Sequence, residues 1–274
     1  MRVVSFDVGI THLAYTVIEF PDDVKEDRLG EHGRIEHLQL MDLRSDLMSE
    51  PLRFNESRCC QRCDSPAMYG REISTDVYEY VCGRHRAALE WTKLEAVSVR
   101  ELSVQDIHQR LFMSLQMELP HLWPLDVLLI EHQPTSCGRG AQRTQTGVLM
   151  KTVGTMLYSF FLCQDMQSRD DLNDRYHPSF RMHFVHAADR WYIPEHQLPR
   201  PANMTVSGVV PETYKDRKSQ SAAWFVHLLQ SHPQWNEWMS TCQRPTRLHD
   251  VADAFFMAMG FYLKSSRKKA RIRK

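Results

Sequence analysis

Residues 126–131, Asp-Val-Leu-Leu-Ile-Glu, set an unbroken apolar run between two carboxylates. A strand shows its side chains to alternate faces, so such a run needs cover on both faces. This predicts a strand in the interior of a sheet with helices packed above and below. The chain can supply that cover, because 42% of its 274 residues are apolar. That fraction argues against global disorder, and the length suits one large domain or one domain carrying an insertion. No apolar run approaches ~18 residues, which excludes a helical membrane span. Met1-Arg2-Val3-Val4 runs straight into a strand-like segment. A charged region followed by an apolar one is missing there, so no secretory signal is expected and the compartment is read as intracellular and reducing.

The neighbouring segments extend this pattern. Residues 2–8 read as a buried strand ending near Asp7, Gly9 as a tight turn, and residues 13–20 as a second strand in an antiparallel hairpin. Residues 34–43 alternate as a third strand. Residues 92–119 carry helical apolar spacing closed by Pro120 and Pro124. After the 126–131 strand come a loop at 132–140 and a helix at 141–164, where Gly147 and Gly154 permit close packing. Residues 181–186 predict a fifth strand, and 187–212, with four prolines, an irregular segment. Helices are expected at 214–231 and 246–264. The fold expected is a mixed α/β sheet flanked by helices. Its core would take residues 1–50 and 92–264, interrupted by a polar, Cys-rich module at 51–91 and followed by a basic tail at 265–274.

Four carboxylates occupy telling places. Asp7 ends the first strand, Glu131 ends the buried one, and Asp250 and Asp253 share one face of the last helix. A carboxylate closing an apolar strand is hard to explain by packing, since a buried charge needs a partner or a metal. Taken singly, Asp7 could cap a turn, Glu131 could pair with Arg143, and the aspartate pair could be a polar helix edge. Taken together, about four negative charges match two divalent ions ~3.5–4 Å apart, a spacing that clamps a scissile phosphate. Oxygen ligands favour Mg²⁺ or Mn²⁺ over zinc.

Asp7-Val8-Gly9, Ile130-Glu131-His132-Gln133 and Leu248-His249-Asp250-Val251-Ala252-Asp253-Ala254, in that order, resemble the RuvC nucleases of the RNase H-like superfamily. The closer resemblance is to the poxvirus/iridovirus-type Holliday junction resolvases of large DNA viruses, relatives of fungal mitochondrial resolvases. Tyr214-Lys215-Asp216-Arg217-Lys218 is similar to the basic stretch that those resolvases carry before the last acidic helix. The resemblance covers residues 1–20 and 126–264 and leaves out 51–91. It implies an RNase H-like five-stranded sheet whose first three strands are antiparallel, and a homodimer presenting two metal sites to a four-way DNA junction. It further implies a Mg-dependent endodeoxyribonuclease of DNA recombination and repair that resolves junctions by paired symmetric nicks. Asp7, Glu131, Asp250 and Asp253 match the metal-binding carboxylates, and Lys215 and Lys218 would meet phosphate. A viral source would place the chain in a cytoplasmic viral factory or the host nucleus.

Four of the seven cysteines fall within residues 59–82. Cys60-x₂-Cys63 and Cys82-x₂-His85 have the paired spacing of a structural zinc site, although Cys59-x₃-Cys63 is also allowed. Residues 55–90 lack aliphatic content for a core of their own, so a metal would supply stability. Cys137, Cys163 and Cys242 have no such partners. Arg58, Arg62, Arg71, Arg84 and Arg86 surround the module and suit phosphate. Arg139, Arg143 and Lys151 follow the Glu131 strand.

Formal charge balances at 34 Lys+Arg against 34 Asp+Glu, but Lys264–Lys274 hold seven basic residues and no acid. Such a run reads as a nucleic-acid arm or a solvated tail. Competing functions are an RNase H-like nuclease on flaps, hybrids or transposon ends, or an inactive zinc-containing nucleic-acid-binding protein. An actin-like ATPase is also compatible with Asp7-x-Gly9-x-Thr11. The low glycine count, 11 in all, with no phosphate-binding loop argues against that last reading.

Overall fold

The computed structural model describes residues 1–21, 33–44, 52, 58–63, 65–86, 90–95, 102–132, 145–169, 178–202, 204, 213–240 and 247–272. The chain divides into two compact units, Met1–Met41 with Phe112–Lys274, and Asp42–Leu111.

The larger unit is built on five strands: β1 (Arg2–Val8), β2 (His12–Glu19), β3 (Arg34–Asp42), then, after the second unit, Val127–Glu131 and Arg181–Val185. Three further strands belong to the second unit: β4 (Tyr69–Ser74), β5 (Val77–Val81) and β6 (Thr92–Lys93). Val127–Glu131 is therefore β7 and Arg181–Val185 is β8. The large sheet has the order β3-β2-β1-β7-β8. β1 runs antiparallel to β2 and parallel to β7, and β7 runs parallel to β8. These five strands form a mixed sheet, as the resemblance implies. β7 lies between β1 and β8, and Val127, Leu128, Leu129 and Ile130 are fully buried, as an apolar run without alternation demands. Gly9 makes the β1–β2 turn possible, since a Cβ there would sit 2.3 Å from the His12 carbonyl oxygen.

Four helices accompany the sheets: α1 (Val104–Leu122), α2 (Gln145–Gln167), α3 (Tyr214–Ser231) and α4 (Leu248–Ile272). α4 packs on β1 and β2 and against α3. It buries Phe255, Phe256 and Met259, while Trp224 of α3 stacks on Phe256 at 4.3 Å. Each such fully buried side chain is worth about 1.5–3 kcal/mol, enough to hold polar residues of the same helix against the sheet. Trp191, Phe225 and Trp235 are also fully buried and belong to the core. Two 3-10 helices, Ala187–Tyr192 and Pro233–Met239, occupy stretches with no predicted regular structure.

The expected helix at 92–119 is corrected. Thr92 and Lys93 pair instead with Gly70 and Tyr69 as β6, and Leu94 packs over Gly70. The helix begins only at Val104, after Ser103 and Asp106 cap each other: Ser103 Oγ accepts from the Asp106 amide at 3.0 Å, and Asp106 accepts from the Ser103 amide at 3.1 Å. It runs through Pro120 to Leu122. The last helix also exceeds its expected end at 264, continuing to Ile272. Residues 96–101, 133–144 and 205–212 lie outside the described residues, and Arg139, Arg143, Cys137 and Cys242 with them. Among the described residues, no helix is long and apolar enough to cross a membrane.

Candidate active site and metal centre

The parallel pairing of β1 with β7 builds the first half of the acidic site. Phe6 is in register with Ile130, so Asp7 and Glu131 stand side by side one residue further along. Their side chains share a hydrogen bond. α4 supplies the second half from its first two turns, with Asp250 and Asp253 both buried. Asp7 feels the charge of Glu131, Asp253 and Asp250, so the four carboxylates drawn from three distant segments converge.

Electrostatics divides the four. Burial, then the charge of Glu131 and Asp253, pushes the Asp7 carboxyl well above its ordinary value of 3.8. Like charges crowded together oppose ionisation, which is the direction of this shift. Asp250 goes the other way. Burial alone would raise it, but His249, Lys218 and Arg247 hold it below 3.8. His249 Nε2 lies 2.8 Å from Asp250 Oδ1 and 2.7 Å from Lys218 Nζ. That nitrogen can donate to Asp250 or accept from Lys218, but not both at once. Lys218 Nζ and Arg247 each lie 3.5 Å from Asp250. Asp253 is fixed by Ser221, whose fully buried hydroxyl donates to its Oδ1 at 2.7 Å.

Of the two lysines singled out in sequence, Lys218 reaches the carboxylates, while Lys215 stands exposed in the first turn of α3. Ser221 and Arg247 are partners that the sequence reading does not name, while His249, which adjoins Asp250 in sequence, carries no assigned role there. The only signal for Ser221 is its place three residues after Lys218, which puts both on one face of α3. Lys151 lies on α2, and Cys163 is exposed.

The second unit gathers Cys60, Cys63, Cys82 and His85, whose ligand atoms all lie within 4.8 Å of one another. Two like turns present them: the Cys63 amide donates to the Cys60 carbonyl at 3.2 Å, and the His85 amide to the Cys82 carbonyl at 3.1 Å. Cys63 and Cys82 Sγ are 3.7 Å apart, and His85 Nδ1 is 3.4 Å from Cys60 Sγ and 3.5 Å from Cys82 Sγ. Bonds of about 2.3 Å to sulfur and 2.0–2.1 Å to nitrogen place tetrahedral zinc ligands about 3.5–3.8 Å apart, so the four fit a zinc ion. Burial opposes ionisation of the Cys60 thiol, but the Cys82 and Arg62 amides, with His85 and Cys63, bring it down to about 6. Cys59 is exposed, bridges Pro66 and lies outside the cluster, which settles the spacing ambiguity in favour of Cys60.

The surrounding arginines are partly committed. Arg62 and Arg71 pair with Glu79 at 3.2 and 2.6 Å. Arg58 stacks over Tyr80, and Arg86 over Tyr69, at 4.4 and 4.6 Å. Arg84 is exposed.

No family model matches the chain, and no curated protein matches its sequence. Solved structures give faint likenesses. The Fowlpox virus resolvase in complex with substrate Holliday junction DNA is 11% identical over 97% of this chain and 98% of its own, with a TM-score of 0.43. T. thermophilus RuvC with a Holliday junction substrate is 9% identical over 97% and 96%, at 0.44. The yeast mitochondrial Holliday junction resolvase Ydc2 is 13% identical over 100% and 84%, at 0.45. Likenesses of this size decide nothing about chemistry, which rests on the carboxylates themselves.

Proposed function

We propose that the chain is a metal-dependent, structure-selective endonuclease that resolves four-way DNA junctions by paired symmetric nicks. The observation that carries this reading is the convergence of Asp7, Glu131, Asp250 and Asp253, with burial and the charge of the other three raising the pKa of Asp7. An acidic group of this kind repels a phosphodiester unless divalent cations intervene. Asp7, Glu131, Asp250 and Asp253 would hold Mg²⁺ or Mn²⁺. Such ions supply a nucleophilic hydroxide and neutralise the leaving oxygen.

The chain's own residues do the rest. Ser221 keeps Asp253 in one orientation, so that ligand does not have to be ordered when a cation arrives. Lys218 rests against Asp250 and offers a mobile positive charge to a phosphate at the rim, with His249 between the two. Lys215 and the basic stretch that ends α4 give salt-dependent phosphate contact. Cys60, Cys63, Cys82 and His85 would hold a structural zinc that stabilises the second unit. Junction choice and the homodimer that symmetric nicking requires are supported by the motif order described above.

The test is cleavage of four-way, three-way, flap and linear duplex DNA in Mg²⁺. Nicks at matching positions on opposing strands of the four-way substrate, giving ligatable duplexes, are expected. Preferred cutting of flaps or hybrids with asymmetric products would replace the junction reading by that of another RNase H-like nuclease.

A further inference from the structure

Away from the four carboxylates, β3 and the last turns of α1 bring three ligand-type side chains together. His37 comes from β3, and Glu118 and His121 lie three residues apart on one face of α1. Their candidate donor atoms all fall within 4.8 Å of one another. His37 Nε2 lies 3.4 Å from Glu118 Oε2, and the two imidazoles stack at 4.2 Å. Nε2 of His37 is buried and makes no hydrogen bond among the described residues. Buried ring nitrogens are nearly always paired, so this one asks for a partner.

The surroundings hold these ligands in place. The Tyr15 hydroxyl donates to Glu118 Oε2 at 2.5 Å. The His121 carbonyl accepts from the Arg2 guanidinium at 2.6 Å. Contacts of this sort orient metal ligands and leave fewer rotamers to freeze on binding. His121 is exposed, which gives an ion a way in. Packing alone accounts for the stack of His37 between Tyr15 and His121. It does not account for a buried Nε2 that faces the Glu118 carboxylate at 3.4 Å without hydrogen-bond geometry.

We propose that His37, Glu118 and His121 form a second transition-metal site of zinc type, with three protein ligands and a fourth position open to water. Two imidazoles and one carboxylate favour zinc over magnesium. Bonds of about 2.0–2.2 Å place tetrahedral nitrogen and oxygen ligands about 3.3–3.5 Å apart, which His37 and Glu118 already satisfy. His121, exposed at the end of a helix, has the side-chain freedom to complete the set. The ion ties β3, the outermost strand of the sheet, to α1. This site is independent of the nuclease reading.

Equilibrium dialysis of the full chain against zinc, in excess Mg²⁺, followed by metal analysis, tests it. His121→Ala removes an exposed ligand and leaves the core untouched. The variant is expected to carry one zinc ion fewer per chain than the wild type, or to need at least about 10-fold more zinc to reach the same occupancy. Cobalt substitution should show thiolate-to-metal absorption of equal strength in both proteins, because the cysteine cluster is intact in each. Glu118→Gln should lose the same ion. Equal zinc content in the wild type and both variants, at concentrations that fill the cysteine cluster, overturns the proposal.

Discussion

The two metal-type sites at the centre of this account are assembled in opposite ways. The cysteine cluster is local: its ligands span residues 60–85 and are offered by two similar turns around a small apolar patch of Val81 and Trp91. The carboxylate site is global: it needs β1 beside β7 and α4 folded back onto both, so residues 7, 131, 250 and 253 meet only when the whole sheet exists. In the first, on the reading proposed above, a metal would supply much of the stability. In the second, the hydrophobic core supplies it, and the carboxylates are a burden that the core carries. Metal should therefore make one site and merely relieve the other.

Removing the metal tests the first half of that contrast, and the effect should be the largest. Structural zinc contributes apparent binding free energies of about 10–16 kcal/mol in small modules. A thiol-competing chelator, or Cys82→Ser, should abolish amide-exchange protection in β4 and β5 while β1, β2 and β7 keep theirs. Retained protection in β4 and β5 would show that the unit folds without metal.

Next in size is Ser221→Ala. Losing an outer hydrogen bond to a metal ligand typically costs 10–100-fold in metal affinity or activity. The Mg²⁺ concentration for half-maximal cleavage should rise by about that factor, with little change at saturating Mg²⁺. An unchanged Mg²⁺ titration would mean that Asp253 does not bind the ion.

The pH dependence of stability follows from opposite shifts within one site. The folded-state pKa of Asp7 is raised, so the native protein binds more protons than the unfolded chain above 3.8, and stability falls as pH climbs from there through the raised value. For Asp250 the pKa is lowered; its contribution is present above 3.8 and is lost as pH falls through the lower folded value. Metal-free protein should therefore lose thermal stability as pH climbs above 3.8 through the raised value of Asp7, and Mg²⁺ should restore it. Asp7→Asn should raise the metal-free midpoint at neutral pH by about 2–4 °C, the shift that a relief near 1 kcal/mol gives in a chain of this size. A lowered midpoint would mean that the Asp7 charge is already compensated.

The smallest effect belongs to Lys215→Ala. Lys215 is exposed, so its loss should weaken junction and duplex binding alike and reduce the salt slope by about one contact. Lys218→Ala, beside Asp250, should instead slow cleavage more than binding.

The same contrast explains what the sequence disclosed. Asp7 and Glu131 were legible because each ends an apolar strand where packing has no use for a charge. Cys60, Cys63, Cys82 and His85 were legible because their spacing is a property of two turns. The role of Ser221 depends on α3 lying against α4, a contact 32 residues apart that no local pattern announces. β6 reads as helix in the sequence because Leu94 leads into an apolar spacing of helical period, whereas its pairing to Tyr69 and Gly70 is a tertiary choice. His37, Glu118 and His121 were invisible for the same reason, since β3 and α1 meet only in the fold.

The central claim is that the four converging carboxylates hold the cations that cut branched DNA. It is tested most directly by measuring four-way-junction binding and nicking in Mg²⁺ for wild type and Asp7→Asn side by side. The account predicts symmetric nicking by the wild type, a loss of cleavage of at least about 100-fold in the variant, and junction affinity equal to or tighter than that of the wild type. Nicking by Asp7→Asn at the wild-type rate would contradict it.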